Sequence, residues 1–174
     1  MLSFEESQQL VEKKIGDIEL VHDPCELYRP IDYVLSIGGK RVRPSLVLLA
    51  CNLFTDDISD ALMPAVAVEY FHNFTLLHDD VMDRADKRRG HPTVHKKWNE
   101  NTAVLSGDAM LIKAYQLVGD CQPQLLGPLL QIFNQTALEV CEGQQYDMNF
   151  EDTVEVTIDE YLKMIELKTA VLIA

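Results

Sequence analysis

Positive charge is scarce in this chain. Its 174 residues hold 15 Lys and Arg against 28 Asp and Glu, a formal net charge of −13. A balance this acidic excludes nucleic acid as a partner, because a phosphate backbone needs a broad basic surface. Cysteine is also sparse, with Cys25, Cys51, Cys121 and Cys141 widely separated. The lack of a close pair argues against a zinc site or a disulfide framework, so the thiols are expected to be reduced and mostly buried. Long apolar runs are missing: stretches such as residues 45–51 fall far short of the roughly 20 residues that span a bilayer. The start, Met1-Leu2-Ser3-Phe4-Glu5-Glu6, has neither the basic opening nor the apolar core of a signal peptide. A cytoplasmic protein that does not span a membrane is expected. Glycine totals eight, and no alternating run is bounded by turn dipeptides, so strands have little support.

Helical periodicity fills the chain instead, and its length suits a single all-α domain over residues 1–174. A first helix is expected over residues 3 to about 21, with Phe4, Leu10, Val11, Ile15 and Ile18 as its apolar stripe. His22-Asp23-Pro24 breaks it. A second fits residues 30–37, with Gly38-Gly39 past its end, and Pro44 opens a third over 45–53. Thr55-Asp56-Asp57 reads as a solvated loop. A long helix over 59–84 follows, then a loop over 85–93 and further helices over 101–117 and 125–149. Thr157 and Glu160 form a capping box for a last helix running from Ile158 to the end.

The long helix ends in His78-Asp79-Asp80-Val81-Met82-Asp83. Asp79 and Asp83, four apart, share one face with Glu69, His72 and Leu76. Two stacked carboxylates repel unless a cation lies between them, and hard oxygen ligands suit Mg²⁺ better than zinc. An acidic helix end alone is ordinarily just solvated. Here nine of the 15 cations gather in two segments: Lys40, Arg41 and Arg43, then Arg84, Lys87, Arg88, Arg89, Lys96 and Lys97. Arginine forks grip phosphate oxygens in pairs and lysine adds a point charge. Cation clusters beside carboxylates in an acidic chain indicate a shared polyanion bridged by metal.

These motifs, in order, carry a resemblance. Gly38-Gly39-Lys40-Arg41-Val42-Arg43-Pro44, Asp79-Asp80-Val81-Met82-Asp83, Arg88-Arg89-Gly90, Gly143-Gln144 and Lys168-Thr169 are similar to those of the trans-isoprenyl diphosphate (polyprenyl) synthase family. The match extends from about Tyr28 to the end. It implies the amino-terminal half of a terpenoid-synthase-type helical bundle, in an Mg²⁺-dependent prenyltransferase of short-chain type that acts as a homodimer. By resemblance the metal belongs to the motif carboxylates Asp79, Asp80 and Asp83. Isopentenyl diphosphate falls to Lys40, Arg43, His72 and Arg89, and the allylic diphosphate to Arg88, Lys168 and Thr169. Asp79, Asp83 and Lys168 are the implied catalytic residues. Arg41 is expected to face solvent or a partner subunit. Gln144 and Asp147 are left open between lining the cavity and plain helix surface, and Ser106-Gly107 is expected to serve close helix packing.

Family members carry a second aspartate-rich motif that this sequence lacks, so a fragment is expected. A terpene cyclase or head-to-head synthase shares the fold, but Lys40, Arg43 and the Arg88-Arg89 pair serve a second diphosphate that cyclases do not need. A silent partner subunit is disfavoured by the intact acidic motif, and a plain helical interaction domain by the ordered motifs. Phe74 lies about 7.5 Å below Asp79 along the helix at 1.5 Å per residue, a depth suited to the floor of a short isoprenoid pocket. Small Thr75 beside it, and the family pattern, point to a fifteen- or twenty-carbon product. Phe71 is the next candidate floor.

Overall fold

The computed structural model describes residues 1–20 and 23–174, so Val21 and the first residue of the expected break, His22, lie outside the described residues. The chain divides into two compact units, Met1–Cys121 and Gln122–Ala174. No helix is long and apolar enough to cross a membrane among the described residues.

The first unit opens with α1 (Phe4–Gly16), whose capping box joins Ser3 and Glu6 at 3.1 and 2.8 Å. It stops short of the expected length because Gly16 and Asp17 are weak helix formers. Its buried residues are Ser7, Val11 and Ile15, while Phe4 and Leu10 of the expected stripe are exposed. Helix α2 (Cys25–Ser36) begins earlier than expected, because Pro24 rather than Pro30 stands at its start. A turn through Gly38, at φ 77°, leads to α3 (Val42–Asn52).

Helix α4 (Ser59–Met82) is the centre of the unit, with Ala65, Val66, Ala67, Tyr70 and Phe71 buried and α1, α3 and α6 packed on it. Burying such residues is worth about 25 cal/mol per Å² of apolar surface, which is what holds the unit closed. Helix α6 (Glu100–Gly119) is capped by Asn99, whose side chain accepts from the Thr102 amide at 2.8 Å. At its crossing with α4, a Cβ on Gly107 would run into the His78 imidazole. The small residue there does admit close packing, as expected.

Between α4 and α6 the expected loop contains a two-stranded antiparallel hairpin, β1 (Lys87–Arg88) with β2 (His91–Pro92), followed by the short α5 (Val94–Lys97). Two-residue strands are too short to show a period of two, so the sequence pattern hides them. The turn residues Arg89 and Gly90 both have positive φ, 52° and 83°, as a tight primed hairpin turn requires. The cysteines are less buried than expected: Cys25, Cys51 and Cys121 are half-buried and Cys141 is exposed. The first three sit at or beside helix ends, where little covers them.

The second unit holds α7 (Pro123–Glu151) and α8 (Ile158–Ile165), the latter opened by the expected Thr157–Glu160 capping box. The last helix is not continuous. At Glu166–Ala170 it widens into a π-helical turn, with the Val171 amide donating to Glu166 O at 3.0 Å. Across from it on α7, a Cβ on Gly143 would strike the backbone of Leu167 and Lys168. Backbone cannot yield as a side-chain tip can. Gly143→Ala is therefore expected to cost about 1–3 kcal/mol through overpacking and to speed amide exchange over residues 166–170. Unchanged exchange there would show that the contact is looser than the geometry indicates.

Candidate active site

An open cavity of about 450 Å³ lies where the start of α3 meets the middle of α4, lined by Gly39, Lys40, Arg41, Val42, Arg43, Glu69, His72 and Arg89. Three local features aim cations at it. Lys40 and Arg43 flank the first turn of α3, whose unsatisfied amides favour anions. Arg89 sits at the hairpin tip, and its guanidinium donates to Gly38 O while lying where a side chain on Gly39 would be. His72 projects from α4, with its Nε2 3.4 Å from Arg43 Nη1. Lys40, Arg43, His72 and Arg89 are thus brought together at one cavity.

The charges around this cavity lack counter-ions of equal number. Arg43 Nε is buried without a hydrogen-bond partner. Burial draws the Arg43 and Arg89 guanidinium pKa values below the usual range, against the field of Glu69. Burial, then the positive fields of Arg43, Arg89, Arg88 and Arg41, hold the His72 imidazole down at about 3. Such an arrangement is built to take up an anion with several oxygens.

Arg41 does not face solvent or a partner, as expected of it. Its side chain is buried, and it donates to Glu69 Oε1 at 2.6 Å, Glu12 Oε1 at 2.7 Å and Leu35 O at 2.8 Å. Burial works against its charge, yet the hydrogen bond to Glu12 and the field of Glu69 outweigh it and raise its pKa. A mostly buried glutamate on α4 needs a partner, and Arg41, 28 residues earlier in the chain, supplies it. Sequence reasoning placed Glu69 on the helix face without a role and passed over Asn73, which donates to Glu69 Oε1 at 2.9 Å. Two polar residues four apart inside an apolar helix were the available signal.

At the end of α4 the carboxylates divide. Arg88 Nε donates to both Asp80 oxygens, at 2.9 and 3.0 Å, and Arg88 Nη2 to Asp79 Oδ2 at 3.2 Å. Asp80 is only 6% exposed. The structure thus places Arg88 on the acidic motif, with both Asp80 oxygens engaged. Asp79 and Asp83 stand one turn apart, the Asp83 amide donating to Asp79 O at 2.8 Å, and Asp83 is exposed. Hard carboxylates one helical turn apart are ligands of the kind that Mg²⁺ takes, with water and phosphate oxygens completing its shell. Among the described residues, no three His, Cys, Asp or Glu side chains gather closely enough to hold a metal by themselves.

Phe74 lies 5.6 Å from Phe71 and 4.7 Å from the His78 ring between centroids. Thr75 Oγ1 is turned back on its own helix, donating to His72 O at 2.8 Å. Lys168 and Thr169 belong to the second unit, where Lys168 Nζ donates to Asp147 Oδ2 at 2.5 Å. Asp147 thereby gains a partner that the sequence had left open.

A helical scaffold with arginines around one cavity and paired carboxylates at a neighbouring helix end has the architecture of the isoprenoid-synthase class. A solved geranylgeranyl pyrophosphate synthase superposes with a TM-score of 0.94 at 48% identity, covering 99% of this chain and 53% of that one. The geranylgeranyl pyrophosphate synthetase of the archaeon Geoglobus acetivorans gives 0.93 at 37% identity, over 97% and 56%. Among curated proteins, the geranylgeranyl diphosphate synthase of Methanosarcina mazei is 43% identical over 166 residues, 94% of this chain and 51% of that protein. The polyprenyl synthetase family model matches residues 24–174, and the chain belongs to that family. It spans about half the length of the curated relatives it matches.

The His72 environment makes a direct prediction. The ring is expected to stay neutral between about pH 5 and 8, read from its carbon chemical shifts by NMR. An unfolded chain takes up the proton near 6.5, whereas the folded one holds out to about 3. The unfolded state therefore binds more protons in that window, and stability falls as pH drops through it. A titration midpoint near the unfolded value would mean that the ring is solvated.

Proposed function

We propose that the protein carrying this sequence is a prenyltransferase that joins isopentenyl diphosphate to an allylic diphosphate. The observation that carries the reading is the cavity at which Lys40, Arg43, His72 and Arg89 converge, beside the helix that ends in Asp79 and Asp83. Lys40, Arg43 and Arg89 bind and orient the diphosphate of isopentenyl diphosphate, and neutral His72 offers it a hydrogen bond. Asp79 and Asp83 hold a divalent cation, taken as Mg²⁺ from the hardness of the ligands. When bound, that cation supplies charge stabilisation to the departing allylic diphosphate.

The allylic C–O bond breaks, and the diphosphate leaves with the electron pair. The double bond of isopentenyl diphosphate attacks the resulting cation, and loss of a proton leaves a trans product five carbons longer. Arg88, which rests on Asp79 and Asp80, is assigned to the departing diphosphate on the strength of the motif. Lys168 and Thr169 are assigned to the same group on the strength of the motif, with Asp147 holding the Lys168 ammonium. Phe71 and Phe74 keep water from the cation, and Phe74 sets the pocket depth for a fifteen- or twenty-carbon product. Exposed Leu105 and Ile112, seven apart on α6, support the pairing of two copies that the family resemblance implies.

Two substitutions test this reading. Asp83→Ala is expected to lower turnover with isopentenyl and allylic diphosphates by about 10²-fold or more while leaving the fold intact by circular dichroism. Near-normal turnover would remove Asp83 from the metal site. Phe74→Ala is expected to move the product upward by at least one five-carbon unit, seen by chromatography of the dephosphorylated alcohols. An active variant with unchanged product length would shift the floor to Phe71.

A further inference from the structure

Arg41 lines the cavity but turns its donors away from it. It is 2% exposed, its backbone is held in the left-handed region at φ 47°, and it caps the amino end of α3. Besides its bonds to Glu69, Glu12 and Leu35, it makes a longer contact from Nη2 to Glu12 Oε2 at 3.4 Å. Glu69 is fixed in turn: Asn73 Nδ2 donates both to its carboxylate, at 2.9 Å, and to its backbone oxygen, at 2.8 Å. The pair therefore locks the first turn of α3 to the middle of α4. Those are the two places from which Arg43 and His72 project, 3.4 Å apart.

The lock acts against a real opposing force. Arg43 and Arg89 line one cavity with Lys40, and like charges gathered there repel one another. An apolar pair of similar volume would hold the two helices together as well or better, because a buried ion pair loses most of its attraction to desolvation. What the ion pair adds is direction, since the planar guanidinium fixes the angle as well as the distance. We propose that the Arg41–Glu69 pair is a positioning device, setting Lys40, Arg43 and His72 at the spacing that a diphosphate needs. This rests on the diphosphate reading above.

The test is a charge-neutral double variant, Arg41→Met with Glu69→Gln, in the full protein. It removes one charge of each sign, so the net charge of the protein is unchanged, and the introduced glutamine can still accept from Asn73. Inorganic pyrophosphate without divalent metal is the probe, followed by calorimetry and by the His72 ring shift in NMR, with thermal melting run alongside. The expected result is a melting temperature near that of the wild type, pyrophosphate binding weakened at least about tenfold, and a smaller His72 shift on saturation. Wild-type affinity and an unchanged His72 response in the double variant would overturn the proposal. Should that variant not fold, Arg41→Lys is read by the same criterion: weakened binding supports the device and wild-type binding overturns it. A wild-type protein that binds no pyrophosphate and shows no His72 response would instead overturn the diphosphate reading beneath it.

Discussion

Like charges crowded around one cavity are the constraint to which the first unit answers. Unit charges 4 Å apart at an effective dielectric near 20 repel by about 4 kcal/mol, and Arg43, Arg89 and Lys40 share one lining. The surroundings limit that repulsion in three ways. His72 stays neutral, so its 3.4 Å approach to Arg43 adds no further charge. Glu69 sets a carboxylate within reach of the cations. Arg41 turns its hydrogen-bond donors inward to Glu12 and Glu69. The cavity thereby keeps a positive lining while its internal repulsion is limited.

Backbone strain falls where the cations are. Among the described residues, the non-glycine positions with positive φ are Arg41, Arg84 and Arg89, at 47°, 51° and 52°. Each costs about 1–2 kcal/mol relative to ordinary backbone. Arg41 is compensated by its buried bonds and Arg89 by its donation to Gly38 O. At Arg84 the left-handed step closes α4. The Ala85 amide returns to Asp80 O at 3.0 Å, and the Arg84 amide to Val81 O at 3.2 Å, a pairing that glycine usually permits. That closure turns the chain sharply, so that Arg88 comes back onto Asp80 only eight residues later.

The parts of this arrangement that depend on local pattern were legible in the chain. The 3.6-residue period marked the helices, and the Thr157–Glu160 capping box is present where it was read. The two basic clusters singled out Lys40, Arg43 and Arg89, which the fold gathers at one cavity. What stayed hidden was decided by tertiary contact. Nothing around Arg41 in sequence distinguishes it from Lys40 or Arg43, and its inward turn follows from Glu69, 28 residues away. The hairpin at Lys87–Arg88 and His91–Pro92 is too short to leave a pattern. The π-helical turn lies against a glycine on a neighbouring helix. Even the helix starts went astray where two prolines competed, as Pro24 and Pro30 did for α2.

Close approach by missing side chains recurs at each of these places. On Gly39 a Cβ would lie 2.7 Å from the Arg89 guanidinium, on Gly107 it would overlap the His78 ring, and on Gly143 it would meet the backbone that carries Lys168. In each case the space that a side chain would fill is taken by a residue of the acidic or basic motifs, or by the backbone next to one. The backbone beside Gly143 has no slack to move by an ångström at the packing density of an organic crystal, whereas the Arg89 guanidinium beside Gly39 is the tip of a flexible, exposed side chain and can swing aside. A catalytic group misplaced by that much can lose about 10²-fold in rate. Gly143 therefore acts on the backbone that carries Lys168 through position alone. Enlarging it displaces the backbone of Leu167 and Lys168, whereas enlarging Gly39 first costs the Arg89 guanidinium its bond to Gly38 O.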